Sequence, residues 1–152
     1  MRPTRQQMFM EIAHVVAKRS TCNRLNVGAI VVQGNRIVSI GYNGQMPGDP
    51  HCDTVCQPGQ CNTIHAETNA LKHIPLDNDL SDGLDLYVTD SPCMACASLL
   101  ASYGIARVFY QSPYRLLDPI LTLLQRGIEV YRVFPNGQVI NQRTDQIEHA
   151  LR

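Results

Sequence analysis

The sequence predicts an α/β fold, a three-layer α/β/α sandwich around a mixed sheet of about five strands. Three observations lead there. Segments with helical and strand periodicity follow one another in the order α-β-β-α-β-α-β-α-β, the pattern of helices packed on both faces of a sheet. The first two strands form a hairpin, which is antiparallel, while the later strands alternate with helices, as parallel crossovers require. Finally, 152 residues of which 44% are hydrophobic make one ordinary domain, long enough to hide roughly 70% of its unfolded surface. Residues 1–152 are therefore read as a single domain.

The elements follow in order. From Thr4 to about Ser20, Met8, Ile12, Val15 and Val16 recur on one helical face, with Thr4 as N-cap. Residues 27–32 and 36–42 are β-rich and joined by Gln33-Gly34-Asn35, a glycine turn. Residues 43–62 are dense in Gly, Pro, Asp and Cys without periodicity; a loop that long in a compact domain needs a function or a clip. A second helix runs from Thr63 or His65 to about Ile74, stopped by Pro75. After a polar connection come a strand at 84–89 and a helix at 93–102 that Ser91-Pro92 opens and Gly104 closes. Strands at 106–110 and 128–134 flank a helix at 118–125, and a short helix near 144–150 ends the chain.

Composition excludes several classes of function. Thirteen Lys and Arg balance thirteen Asp and Glu, whereas proteins that live on phosphate backbones carry a basic excess. No apolar run is long enough to span a membrane, and the Arg pair near the N-terminus lacks the apolar stretch of a secretory signal. The expected address is the cytoplasm, where disulfides are rare. The six cysteines, at 22, 52, 56, 61, 93 and 96, are then thiols or metal ligands, and their uneven grouping favours metal.

The strongest signal is His65-Ala66-Glu67 at one helix start and Pro92-Cys93-Met94-Ala95-Cys96 at another. Cys93 and Cys96, at i and i+3, present both sulfurs from adjacent turns, and a helix N-terminus favours thiolates. With His65 they make three protein ligands for Zn2+ and leave the fourth position open, as catalytic zinc sites do. Zinc so held brings its water to a pKa of about 7, and Glu67 beside it can carry protons from water to a ring nitrogen and on to a departing amine. His-x-Glu with Pro-Cys-x-x-Cys is a signature of zinc nucleobase deaminases.

At these residues the chain resembles the cytidine deaminase superfamily, and within it the deoxycytidylate (dCMP) deaminases of bacteria and phages. The likeness extends to Ser20–Ala29, Gly41-Tyr-Asn-Gly44, Pro47 with His51-Cys52, His65–Leu71 and Tyr87–Ala97. It covers roughly residues 5–134, leaving the tail after Phe134 unmatched. The resemblance implies a cytidine deaminase-like fold, hydrolysis of dCMP to dUMP for thymidylate synthesis, and a homo-oligomer, often a hexamer. It implies activation by dCTP with Mg2+ and inhibition by dTTP. His65, Cys93 and Cys96 would hold the catalytic zinc and Glu67 would shuttle protons. The Ala66 backbone and the Ser91 carbonyl would read the cytosine edge, Asn43 would meet the sugar, and Tyr114 would lie over the base. Gly28, Tyr42 and Gly44 would mark the effector site. Arg24 and Arg115 are candidates for the 5′-phosphate.

Cys22, Cys52, Cys56 and Cys61 fit a closed, structural zinc site that clips the long loop to the hairpin. The resemblance also implies a second zinc with Cys and His ligands, so His51 could replace one cysteine; free thiols are the other reading. Two alternative functions stand beside dCMP deamination. A tRNA adenosine or polynucleotide cytidine deaminase would need the basic excess this chain lacks. A non-catalytic zinc module would have no use for Glu67.

Overall fold

The computed structural model describes residues 1–52 and 61–152. It contains α1 (Arg5–Ala17), β1 (Gly28–Gln33), β2 (Arg36–Tyr42), α2 (Ala66–Lys72), β3 (Leu84–Asp90), α3 (Met94–Ser102), β4 (Ile105–Ser112), α4 (Asp118–Gln125), β5 (Glu129–Val133), β6 (Val139–Asn141) and α5 (Thr144–Leu151). The sheet order is β2-β1-β3-β4-β5-β6. β3, β4 and β5 run parallel, while β1 is antiparallel to both β2 and β3, and β6 to β5. This is the mixed sheet the sequence predicts, with one short strand more than anticipated. β6 has three residues and a turn at Asn136-Gly137, too little for a period-two pattern to register.

Helices cover both faces. On one, Phe9, Met10, Ala13 and Val16 of α1 pack against Ile30, Val32, Tyr87 and Phe109. Rings in register on adjacent strands stack there, Tyr87 on Phe109 at 4.4 Å and Phe109 on Tyr131 at 4.9 Å between centroids. On the other face, α2, α3, α4 and α5 bury Ala70, Leu100, Leu123 and Ile147 against Val31, Leu86, Val88 and Val108. β3 lies at the centre with six of its seven residues buried, as a strand covered on both sides must be.

α1 begins with a reciprocal cap. The Gln7 amide donates to Thr4 Oγ1 at 3.1 Å, and the Thr4 amide donates to Gln7 Oε1 at 2.9 Å. Two glycines set how closely helices approach the sheet. A Cβ on Gly28 would collide with the backbone of Ala13 and Ala17 in α1, and one on Gly41 with the backbone of Ala66 and Ala70 in α2. Gly41 thereby fixes the height of α2, the helix that carries the His-x-Glu motif. No helix among the described residues is long and apolar enough to cross a membrane.

Candidate active site

The site lies where α2 and α3 begin, beyond the carboxyl end of β3. His65 is the N-cap of α2 and Cys93 the N-cap of α3, both in extended backbone conformation. Just upstream, Ile64 is fastened to Gly44 by two backbone hydrogen bonds of 2.7 and 3.1 Å. Cys96 sits one turn into α3 and is buried. The sulfurs of Cys93 and Cys96 lie 3.4 and 3.3 Å from His65 Nδ1, and the three ligand atoms fall within 4.8 Å of one another. Tetrahedral ligands at zinc bond lengths of about 2.3 Å for sulfur and 2.0 Å for nitrogen stand roughly 3.5 Å apart. The residues present therefore fit zinc.

Electrostatics agree with a ligand set. The Cys93 thiol is lowered to about 3 by hydrogen bonds to Cys96 and then His65. Cys96 is pushed up by its hydrogen bond to Cys93 and by burial. His65 is raised by the Cys93 sulfur it bonds. Zinc takes such ligands deprotonated, so its binding would release the protons that this cluster shares. Glu67, the second residue of α2 and 4% exposed, is raised first by burial. Burial thus favours its protonated form, the direction that suits a proton carrier.

Beside this cluster opens a cavity of about 160 Å³. His65, Ala66, Glu67, Ser91, Cys93, Asn43 and Tyr114 all line it, so the structure brings together the candidate substrate residues. Tyr114 and Arg115 project from the loop after β4, and Arg24 from the loop after α1. Arg24 Nη2 donates to the Tyr114 hydroxyl at 3.0 Å, and the Arg115 guanidinium carbon lies 5.1 Å from the Tyr114 ring centroid. Asn43 has a role that the sequence reading did not foresee. Its Oδ1 accepts from the Val27 amide at 2.8 Å and its Nδ2 donates to the Leu25 carbonyl at 2.7 Å, so it also holds the loop that presents Arg24. Asp90 and Thr63 line the cavity as well. Their positions next to Ser91 and His65 in sequence were the available signal.

The effector candidates divide. Tyr42 and Gly44 line a separate cleft of about 210 Å³ between β2 and α2, together with Asn69, Lys72 and His73. Gly28 is not part of that cleft; it lies under α1, where its missing side chain permits close packing. In the loop cluster, Cys61 Sγ lies 3.5 Å from Cys22 Sγ and 3.4 Å from Cys52 Sγ. Gln45 Nε2 donates to Cys52 Sγ at 2.8 Å. Cys56 lies outside the described residues, and His51 is exposed. Cys22 and Cys61 also form part of the active-site wall.

Residues 3–112 match the sequence model of the cytidine and deoxycytidylate deaminase zinc-binding region. The chain is 41% identical over 140 residues to ComE operon protein 2 of Bacillus subtilis (strain 168), covering 89% of this chain and 74% of that protein. It is 40% identical over 124 residues to a deoxycytidylate deaminase of Mycobacterium phage D29, covering 72% of this chain and 95% of the phage protein. Among solved structures, the dCMP deaminase of cyanophage S-TIM5 in complex with dCMP and dUMP superposes with a TM-score of 0.76 at 35% identity. That match covers 88% of this chain and 99% of the phage chain. Ligand triad, buried glutamate, sheet order and relatives agree: the chain belongs to the cytidine and deoxycytidylate deaminase family and is a deaminase.

Proposed function

We propose that this protein converts dCMP to dUMP, releasing ammonia and supplying thymidylate synthesis. The observation that carries this reading is the joining, in one cavity, of the His65–Cys93–Cys96 triad and buried Glu67 with two guanidiniums at the mouth. The 35% identity to a phage enzyme crystallised with dCMP and dUMP supports it. Zinc held by His65, Cys93 and Cys96 would supply an acidified water for addition at C4 of cytosine. Glu67 would carry the two protons of that water, one to N3 and one to the amine, which leaves as ammonia as the C4 carbonyl forms. The Ala66 amide and the Ser91 carbonyl face the cytosine edge, Asn43 meets the sugar, and Tyr114 closes over the base. Arg24 and Arg115 take the 5′-phosphate, for which guanidinium forks are well shaped.

Regulation belongs to the same proposal. dCTP with Mg2+ activates and dTTP inhibits through the cleft of Tyr42 and Gly44, where Lys72 supplies positive charge for a polyphosphate. A second, structural zinc is held by Cys22, Cys52 and Cys61, with Cys56 or His51 as fourth ligand. The enzyme acts as a cytoplasmic homo-oligomer, a hexamer. An ultraviolet assay with dCMP, deoxycytidine and a short single-stranded oligonucleotide, each with and without dCTP and Mg2+, tests the reading. Turnover of dCMP raised by dCTP is expected. Turnover of the oligonucleotide alone would move the protein to the nucleic-acid editors, and metal analysis finding one zinc per chain would remove the second site.

A further inference from the structure

We propose that the Ser91 side chain is a positioning residue that latches the phosphate-reading mouth of the active site, an inference that rests on the dCMP reading above. Ser91 is 3% exposed at the end of β3. Its amide donates to the Ser112 carbonyl at 2.9 Å, and its hydroxyl accepts from the Tyr114 amide at 2.6 Å. The stretch from Pro113 to Leu116 leaves β4 and crosses the cavity mouth. Pro113 has no amide to give, and Arg115 and Leu116 are exposed. Among the described residues, the Tyr114 amide is the backbone group of this stretch that is tied to the body of the protein, and Ser91 ties it.

What the latch holds is the cationic part of the site. With the Tyr114 backbone fixed, its hydroxyl stands where Arg24 Nη2 reaches it at 3.0 Å, and its ring stands under Arg115. Arg24 Nε is buried without a partner, a donor left for an anion entering the mouth. One serine hydroxyl thus sets the spacing of two guanidiniums that arrive from loops ninety residues apart in sequence. A dianionic 5′-phosphate gains from such preorganisation, because the cations need not be gathered when it binds. A nucleoside without phosphate gains only the placement of the Tyr114 ring over its base. The Ser91 hydroxyl therefore acts on the choice between nucleotide and nucleoside through Tyr114, which it bonds, and through Arg24 beyond it.

The test compares dCMP and deoxycytidine in Ser91→Ala, Tyr114→Phe and the double variant, each with zinc content and Tm recorded. Ser91→Ala is expected to raise KM for dCMP by about fivefold to tenfold, the worth of one net hydrogen bond. Its loss in kcat/KM should be about fivefold larger for dCMP than for deoxycytidine, a substrate-dependent ratio that a general loss of structure would not produce. Because Ser91 acts on Arg24 through the Tyr114 hydroxyl, Tyr114→Phe should cost little more in the Ser91→Ala background. Ser91→Thr, which keeps the hydroxyl, should recover most of the dCMP affinity, and Ser91→Gly replaces the alanine variant if that chain fails to fold. Equal losses on both substrates, additive costs, or an unmoved KM for dCMP would each overturn the latch. A wild-type enzyme silent on dCMP overturns the substrate reading, and the latch with it; a wild-type enzyme active on dCMP with an indifferent Ser91→Ala overturns the latch alone.

Discussion

In the proposed reaction Glu67 is the single side chain that moves protons, and its surroundings explain why a carboxyl serves. It is buried in the first turn of α2, which raises its proton affinity, yet no metal ligand would be lost by changing it. Glu67→Gln is expected to keep zinc and the melting temperature while lowering kcat by roughly 10²–10⁴, the usual worth of a positioned acid–base group; full turnover in that variant would end its role. Asp90 is the other carboxyl lining the site, half-buried, and desolvation raises it too, against an opposing hydrogen bond from Thr89. A raised folded value means that the native state holds the proton more tightly than the unfolded chain. The stability from that group is complete below its ordinary 3.8 and is lost as pH rises through the folded value. Urea midpoints should therefore show Asp90→Asn gaining on the wild type between pH 4 and pH 7, and a constant difference would contradict this. At this scale the sequence was highly legible for the ligands, because metal geometry demands particular residue types at particular spacings. It was silent on Asn43 and Ser91 as loop anchors, since a side chain bonded to a distant backbone leaves no periodic trace.

The helices matter through where they begin. α2 and α3 are capped by His65 and Cys93, two of the three proposed zinc ligands, so the site depends on how those two helices sit on the sheet. Gly41 makes that placement possible for α2, because a methyl there would stand 2.9 Å from Ala70 Cα and nearer still to its amide. Gly41→Ala should lower stability by about 3 kcal/mol, as overpacking against unyielding backbone does. It should also weaken zinc retention during dialysis against a chelator, whereas a Gly34→Ala control, in an open turn with nothing nearby, should keep its metal. Helices α1 to α5 and strands β1 to β5 were legible to within a few residues, although the face of α1 was not: Met8 and Val15 are exposed, while Phe9, Met10 and Ala13 turn inward. β6 and the height of α2 were not, since both depend on partners remote in sequence.

Taken whole, the molecule puts its catalytic machinery at one end of the central strands and leaves the tail after Phe134 to stability. That tail, which the family resemblance did not reach, is part of the core. Ile147 is 4% exposed and belongs to the cluster built on β3 and β4. Ile147→Ala is expected to cost about 2–4 kcal/mol by thermal or urea unfolding while leaving KM for dCMP near the wild-type value. A neutral result would place α5 outside the cooperative unit. The tail also touches the beginning of the chain: Gly137, at φ +91°, packs so closely on Gln7 that a Cβ there would overlap the side chain capping α1. A side chain added at Gly137 would therefore be felt some 130 residues away, as a displaced Gln7 and a loosened first turn of α1.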